Sequence, residues 1–214
     1  AKRGALFMID LKHAVQEQGF TVAHIKTDSI KIPNATREII QFVIDFGKKY
    51  GYDFEHEVTY EDFCLVNDAV YVAYDGDNWT AVGAQFQHPY VFKTLFSKEK
   101  IIFEDYCETK SVTVGAMYLD FDGDGDISKM RHVGRTGSFV PVSYGATLWR
   151  VKDDSKFAVT GTKGYQWITR EMAEERDSKA ELLIDMSYFK NLVEKAREAI
   201  QKYNKDIGNY FSHI

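Results

Sequence analysis

Apolar residues recur at helical spacing from Ala5 to Gln18. Leu6, Ile9 and His13 stand at i, i+3 and i+7, with Met8, Leu11 and Val15 on an adjacent stripe. Gly19 supplies a C′ stop. Two short β-prone runs follow, Phe20 to Ile25 and Ile30 to Ile32, joined by a turn at Asp28. Asn34, after Pro33, is the expected cap of a second helix, whose buried face is Ile39, Ile40, Val43, Ile44 and Phe46 and which ends at Gly51. Asp53 to Thr59, Phe63 to Tyr74 and a run at Trp79 read as strands, the last two separated by the turn signal Asp75-Gly76-Asp77-Asn78. Residues 1–86 therefore read α-β-β-α-β-β-β, with helices packed on an antiparallel sheet.

Beyond a soft boundary near Gln85 to His88 the pattern changes. Pro89 opens a short helix with Tyr90, Phe92, Leu95 and Phe96 as apolar anchors. Residues 109–168 read as strands and turns, punctuated by Asp122-Gly123, Asp124-Gly125 and Asp153-Asp154. Ser187 is the expected cap of a last helix, in which Phe189, Leu192, Val193, Ala196, Ile200 and Tyr203 keep the helical period. The expected fold class is α+β in two regions, 1–86 and 87–214, the second mixing strands and helices.

Composition narrows the function classes. With 44% hydrophobic and 28% charged residues, the 214-residue chain has an ordinary globular make-up. No apolar run is long enough to span a bilayer, and the N-terminus has no signal-peptide pattern, so no membrane partner is expected. Cys64 and Cys107 read as free thiols in a reducing compartment. The net charge of -5 speaks mildly against a nucleic-acid binder, although 129–150 and 152–170 are locally basic or balanced. The chain starts at Ala1 without an initiator Met, so a longer precursor is expected.

Candidate chemistry centres on Asp28, in His24-Ile25-Lys26-Thr27-Asp28-Ser29. An acid at the tip of a hairpin is exposed and suits a carboxylate that holds a metal ion against a ligand. A plain turn is the alternative, since Asp and Ser favour turns. Asp120-Phe121-Asp122-Gly123-Asp124-Gly125-Asp126-Ile127 has acids at positions 1, 3 and 5 of a calcium loop, Asp120, Asp122 and Asp124, with Gly125 at 6, Asp126 beside it and Ile127 at 8, but its twelfth position is Arg131 rather than Glu. Val112, Val114, Ala116 and Tyr118 alternate like a strand ahead of it, so an acidic β-turn is the expectation and Ca2+ the alternative. The six histidines show no zinc spacing, and His24 and His56 read as packing residues.

The order helix, strand, Thr27-Asp28-Ser29 hairpin, helix, Glu-rich strand and long strand ending at Tyr71 resembles the second half of the palm of a family B DNA polymerase. That family's hairpin reads Tyr-Gly-Asp-Thr-Asp-Ser. Asp28 matches the second aspartate, which binds the catalytic metals, and Lys26 stands in place of the first. Phe54-Glu55-His56-Glu57-Val58-Thr59-Tyr60 resembles the family's Glu-x-Glu-x-x-Tyr strand and makes Glu57 the accessory acid. Tyr71 matches the tyrosine of Lys-Lys-Arg-Tyr, but Asp68 and Ala69 hold the lysine positions, so the duplex contact there is weaker or supplied elsewhere. The stretches 82–96, 133–142 and 161–165 are similar to phage thumbs, in which Arg135, Lys163 and Tyr165 lie beside glycines and would hold duplex phosphates. Ordinary turns with a solvated cation are the alternative for these.

The resemblance implies template-directed nucleotidyl transfer with Mg2+ at a two-metal site. Asp28 would be the catalytic acid, Asp28 and Glu57 the metal ligands, and Thr27, Ser29 and Lys26 flanking residues. The implied partners are primer-template DNA, a dNTP and the rest of the polymerase, in the cytoplasm of a bacterial or phage-infected cell. Two magnesium ions about 3.5–4 Å apart would clamp the attacking and leaving oxygens. Neither Asp-x-x-Ser-Leu-Tyr-Pro nor the nucleotide-gripping Lys-x-x-x-Asn-Ser-x-Tyr occurs in the sequence, so the chain is expected to be a C-terminal portion, inactive alone. The competing class is a non-catalytic DNA-binding or calcium-stabilised module on the same palm and thumb fold.

Overall fold

The computed structural model describes residues 2–177 and 182–203. The protein is α+β, and it divides into two compact units: one runs through Gly83 and takes back the last helix from Ile200, the other is Ala84–Ala199. Among the described residues no helix is long and apolar enough to cross a membrane.

In the first unit, helices α1 (Lys2–Glu17) and α2 (Arg37–Lys49) bury Phe7, Met8, Leu11 and Val15 against Ile39 and Val43. The cap of α2 is Thr36, whose hydroxyl accepts the Ile39 N–H at 3.4 Å. Asn34 instead takes a left-handed turn at φ 53°, which its short side chain tolerates. Gly47 is the point of closest approach on α2: a Cβ there would lie 2.6 Å from the Phe54 ring and 3.0 Å from the Tyr52 carbonyl.

Strands β1 (His24–Ile25) and β2 (Ile30–Lys31) form a hairpin much shorter than expected, paired His24 to Lys31 and Ile25 to Ile30. Extending that register would set Val22 against Pro33, which has no N–H to donate, so 20–22 stay outside the ladder. Phe20, Val22, Ile25, Ile30 and Ile32 pack on the helix pair.

The Glu-rich segment is not a strand. Residues 52–60 join no ladder: Tyr52 and Phe54 anchor on the helices, and 55–59 are exposed. The expected run to Tyr71 also breaks, into β3 (Asp62–Asn67) and β4 (Val70–Tyr74), because the Asn67 side chain accepts the Ala69 N–H at 2.9 Å and closes a two-residue turn. With β5 (Trp79–Val82) they make an antiparallel sheet in the order β3-β4-β5. The turn before β5 is held by Asp75, which accepts from the N–H groups of Asp77 and Asn78.

The second unit opens with two one-turn helices, α3 (Ala84–Gln87) and α4 (Pro89–Phe92), running into a π-helical turn at Lys93–Ser97. Seven strands follow: β6 (Glu108–Ser111), β7 (Ala116–Asp120), β8 (Arg131–Gly134), β9 (Thr136–Val142), β10 (Thr147–Lys152), β11 (Ser155–Ala158) and β12 (Gln166–Thr169). They form two antiparallel sheets, β11-β10-β7-β8 and β12-β9-β6. Met117, Leu119, Phe139, Leu148 and Trp167 share one core with Tyr188 and Phe189 of the last helix.

Helix α5 (Arg170–Asp177) was not expected from the pattern, and α6 (Met186–Tyr203) begins before its expected cap. Ser187 lies inside α6, and Asp185 accepts its N–H at 3.0 Å. Glu108 is half-buried beside this core and gathers a polar cluster. His88 Nε2 donates to it at 2.9 Å, Lys110 forms an ion pair with it, and the Tyr188 hydroxyl donates to it. Burial alone would raise the Glu108 pKa, but the hydrogen bonds from His88, Lys110 and Tyr188 outweigh it and bring the pKa to about 2. Burial pushes the Tyr188 hydroxyl well above its ordinary range.

Candidate functional site

The β1–β2 hairpin has two faces, because side chains alternate along each strand. Ile25 and Ile30 point into the helix-pair core. His24, its cross-strand partner Lys31, and Lys26 two residues on converge on Tyr71 instead. The turn between them is closed by the Lys26 N–H donating to the Ser29 carbonyl at 2.9 Å, which leaves Thr27 and Asp28 exposed at the tip.

The hairpin is tied to the neighbouring sheet. His24 is 3% exposed, and its Nε2–H donates to the Asp68 carbonyl, in the β3–β4 turn, at 2.8 Å. Its Nδ1 is buried with no hydrogen-bond partner, so the ring carries its proton on Nε2, where the acceptor is. Asp68, which stands where a duplex-contacting lysine was sought, thus uses its backbone to hold the hairpin.

Tyr71 does not present itself to a ligand. It is 7% exposed, with its ring 5.2 Å from that of Phe63 and 5.8 Å from His24. Above it stand two ammonium groups: Lys31 Nζ is 5.0 Å from the ring centroid and Lys26 Nζ 5.8 Å. Burial and the neighbouring Lys26 lower the Lys31 pKa from its ordinary value, while Glu57 and Asp28 oppose that change. Both acids therefore lie in the field of Lys31, yet among the described residues none of Lys26, Asp28, Lys31 and Glu57 makes an ion pair.

The candidate group is Asp28, with Thr27, Ser29 and Lys26 beside it in the turn, and Glu57, which acts on Lys31 from a segment outside any ladder. Lys31 and the His24 tether complete it. The signal for both was the two-residue period of the hairpin: once the turn is set at 26–29, His24 falls opposite Lys31. Among the described residues no three His, Cys, Asp or Glu side chains converge as a metal-holding group. Asp28 and Glu57 are two exposed carboxylates not engaged in ion pairs among the described residues, a donor type that suits magnesium, which takes one or two carboxylates plus waters and substrate phosphates.

The remaining candidates lie in the second unit. Arg135 is exposed at the β8–β9 tip, its carbonyl accepting from the Val112 N–H at 2.8 Å. Lys163 is exposed in a turn anchored by the core, where the Trp167 indole N–H donates to the Thr162 carbonyl at 3.1 Å. Tyr165 is committed within the fold: its hydroxyl accepts from Asn191 at 2.7 Å, and its ring meets Tyr188 edge-on.

The acidic loop is closed by its own chain. Asp120 is buried and accepts the N–H groups of Gly123 at 2.8 Å and Gly125 at 3.0 Å. Lys129 forms an ion pair with Asp124 at 2.6 Å, Asp126 accepts from Ser128, and Lys156 donates to the Gly125 carbonyl. Asp122 is exposed. No protein-family model, curated protein or solved structure matches the chain.

Proposed function

We propose that the chain is part of a DNA-directed DNA polymerase, the second half of a palm followed by a thumb, contributing half of a two-metal site for template-directed nucleotidyl transfer. The observation that supports this most is the hairpin. Its apolar face is sunk in the helix pair and its polar face is tethered through His24. Asp28 is left exposed, Glu57 acts with it on Lys31, and neither acid makes an ion pair among the described residues.

In this reading Asp28 and Glu57 hold magnesium, which when bound neutralises charge on the attacking and leaving oxygens of an in-line phosphoryl transfer. The chain's own contribution is position. Half-buried isoleucines packed on the helix pair on one face and a buried histidine on the other hold the hairpin that carries Asp28, and catalysis of this kind depends mostly on placement and charge. Arg135 and Lys163 are exposed cations in the second unit that would meet duplex phosphates. A facing acid and a nucleotide-gripping helix complete the site from another part of the polymerase, so this chain alone does not extend a primer.

The test is to read the coding DNA upstream of Ala1 for Asp-x-x-Ser-Leu-Tyr-Pro and Lys-x-x-x-Asn-Ser, express the polypeptide it encodes together with this chain, and assay extension of a primed template. Extension is expected, and Asp28→Ala is expected to abolish it with the far-ultraviolet circular dichroism unchanged. Full extension by Asp28→Ala overturns the assignment.

A further inference from the structure

Among the described residues Lys93, Lys110, Lys129 and Lys152 form ion pairs, with Asp105, Glu108, Asp124 and Asp153. Among the described residues Lys26 and Lys31 have no such partner, and the hairpin register points them at one ring. Two like charges held together over a buried aromatic repel one another unless an anion comes between or above them. Asp28 and Glu57 act on Lys31 without closing to ion-pair distance, so the ammonium protons stay available to an external oxyanion.

We propose that Lys26 and Lys31, seated over the buried Tyr71 ring, form a binding site for a backbone phosphate of a nucleic-acid strand. A phosphodiester has two non-bridging oxygens that share one negative charge, one oxygen to accept from each ammonium, and lysine binds phosphate as a point charge with rotatable donors. The floor is rigid: Tyr71 is packed by Phe63 and His24, and the His24 tether fixes the hairpin against the β3–β4 turn. Ring contact also limits the freedom of both lysine stems before the ligand arrives, which reduces the ordering cost of binding. Lys26 therefore donates from the hairpin to a phosphate oxygen, and Tyr71 serves as the platform beneath it. The choice of a nucleic-acid strand as the source of the phosphate rests on the polymerase reading. The chemistry itself, a phosphate oxyanion, is shared with nucleoside triphosphates.

The test uses the full chain and a fluorescein-labelled primer-template duplex, with anisotropy titrations across a range of salt. Loss of this one phosphate contact is expected to make the slope of log K against log salt shallower by about 0.9 in Lys26→Gln/Lys31→Gln. The Lys26→Arg/Lys31→Arg variant keeps the charge and is expected to keep the slope, and near-ultraviolet circular dichroism of both variants reports whether the fold survives. Acetylation footprinting distinguishes the source: protection of Lys26 and Lys31 by duplex supports the strand, and protection by a nucleoside triphosphate alone overturns it. An unchanged slope in the Gln variant overturns the cradle while leaving the polymerase reading intact. Absence of duplex binding by the unaltered chain also overturns the cradle. Extension retained by Asp28→Ala overturns the polymerase reading and leaves the binding result standing.

Discussion

Glu108 makes the second unit acid-sensitive in a way that can be worked out in advance. Its side chain is only 10% exposed, and His88, Lys110 and Tyr188 all donate to it. Its pKa of about 2, against an ordinary 4.5, means the folded state favours the ionised form. At about 1.4 kcal/mol per pKa unit the difference amounts to ~3 kcal/mol of stability, to order of magnitude. Because the folded pKa is depressed, this stabilisation is fully present above the unfolded value and is lost as pH falls from about 4.5 towards 2. Glu108→Gln removes the charge and leaves Lys110 and His88 facing a neutral amide, so at pH 6 it should cost ~3 kcal/mol, in the range expected for a broken buried pair. Urea unfolding can be followed by Trp167 fluorescence in a Trp79→Phe/Trp149→Phe background, since Trp167 packs edge-on to Tyr188 and lies under Lys110. The stability gap between that background and the same chain carrying Glu108→Gln should close as pH is lowered through the window. A gap that stays constant from pH 6 to 2, or one below about 1 kcal/mol at pH 6, refutes the reasoning.

Three further outcomes follow from the geometry. Gly47→Ala should destabilise the first unit by about 1–3 kcal/mol in urea unfolding, because the added methyl meets the Phe54 ring and the Tyr52 carbonyl; unchanged stability would mean that this contact yields freely. His24→Phe keeps an aromatic ring beside Tyr71 but removes the bond to Asp68, and should cost about 1–2 kcal/mol in urea unfolding; unchanged stability would mean that this bond carries no net weight. Millimolar calcium should give no binding heat in calorimetry, because Lys129 and backbone N–H groups already occupy the carboxylates of Asp120, Asp124 and Asp126; saturable heat lost in Asp124→Asn would overturn that account.

Helical periodicity was the most legible layer of the sequence. The adjacent stripe Met8, Leu11 and Val15 and the α2 face at Ile39 and Val43 are buried as their spacing requires, whereas Leu6, Ile9 and His13 of the first stripe face solvent. The order of elements in 1–83 also reads correctly, but for partly wrong reasons. Asp53 to Thr59 has strand-like composition and finds no ladder partner, while the single run Phe63 to Tyr74 supplies two strands. Strand identity depends on a ladder partner, which composition does not reveal, and on side-chain turn bonds such as Asn67 to Ala69. Helix α5 was invisible for the opposite reason: Met172 and Ala173 alone make no apolar stripe. The helix is held instead by the Thr169 hydroxyl accepting the Met172 N–H and by the Arg170–Glu174 pair.

The hairpin illustrates both limits in four residues. Its apolar positions, Ile25 and Ile30, follow from pattern alone, and they determine which way every other side chain must face. Given that constraint, Lys26 cannot stand as a charge-reversed copy of an acid at the tip. It faces Tyr71 with Lys31, on the side opposite the core. Beside it stand a second lysine from across the hairpin, Lys31, and a buried ring below both. The two ammonium groups come from β2 and the hairpin turn, and the Asp68 carbonyl holds that hairpin in place.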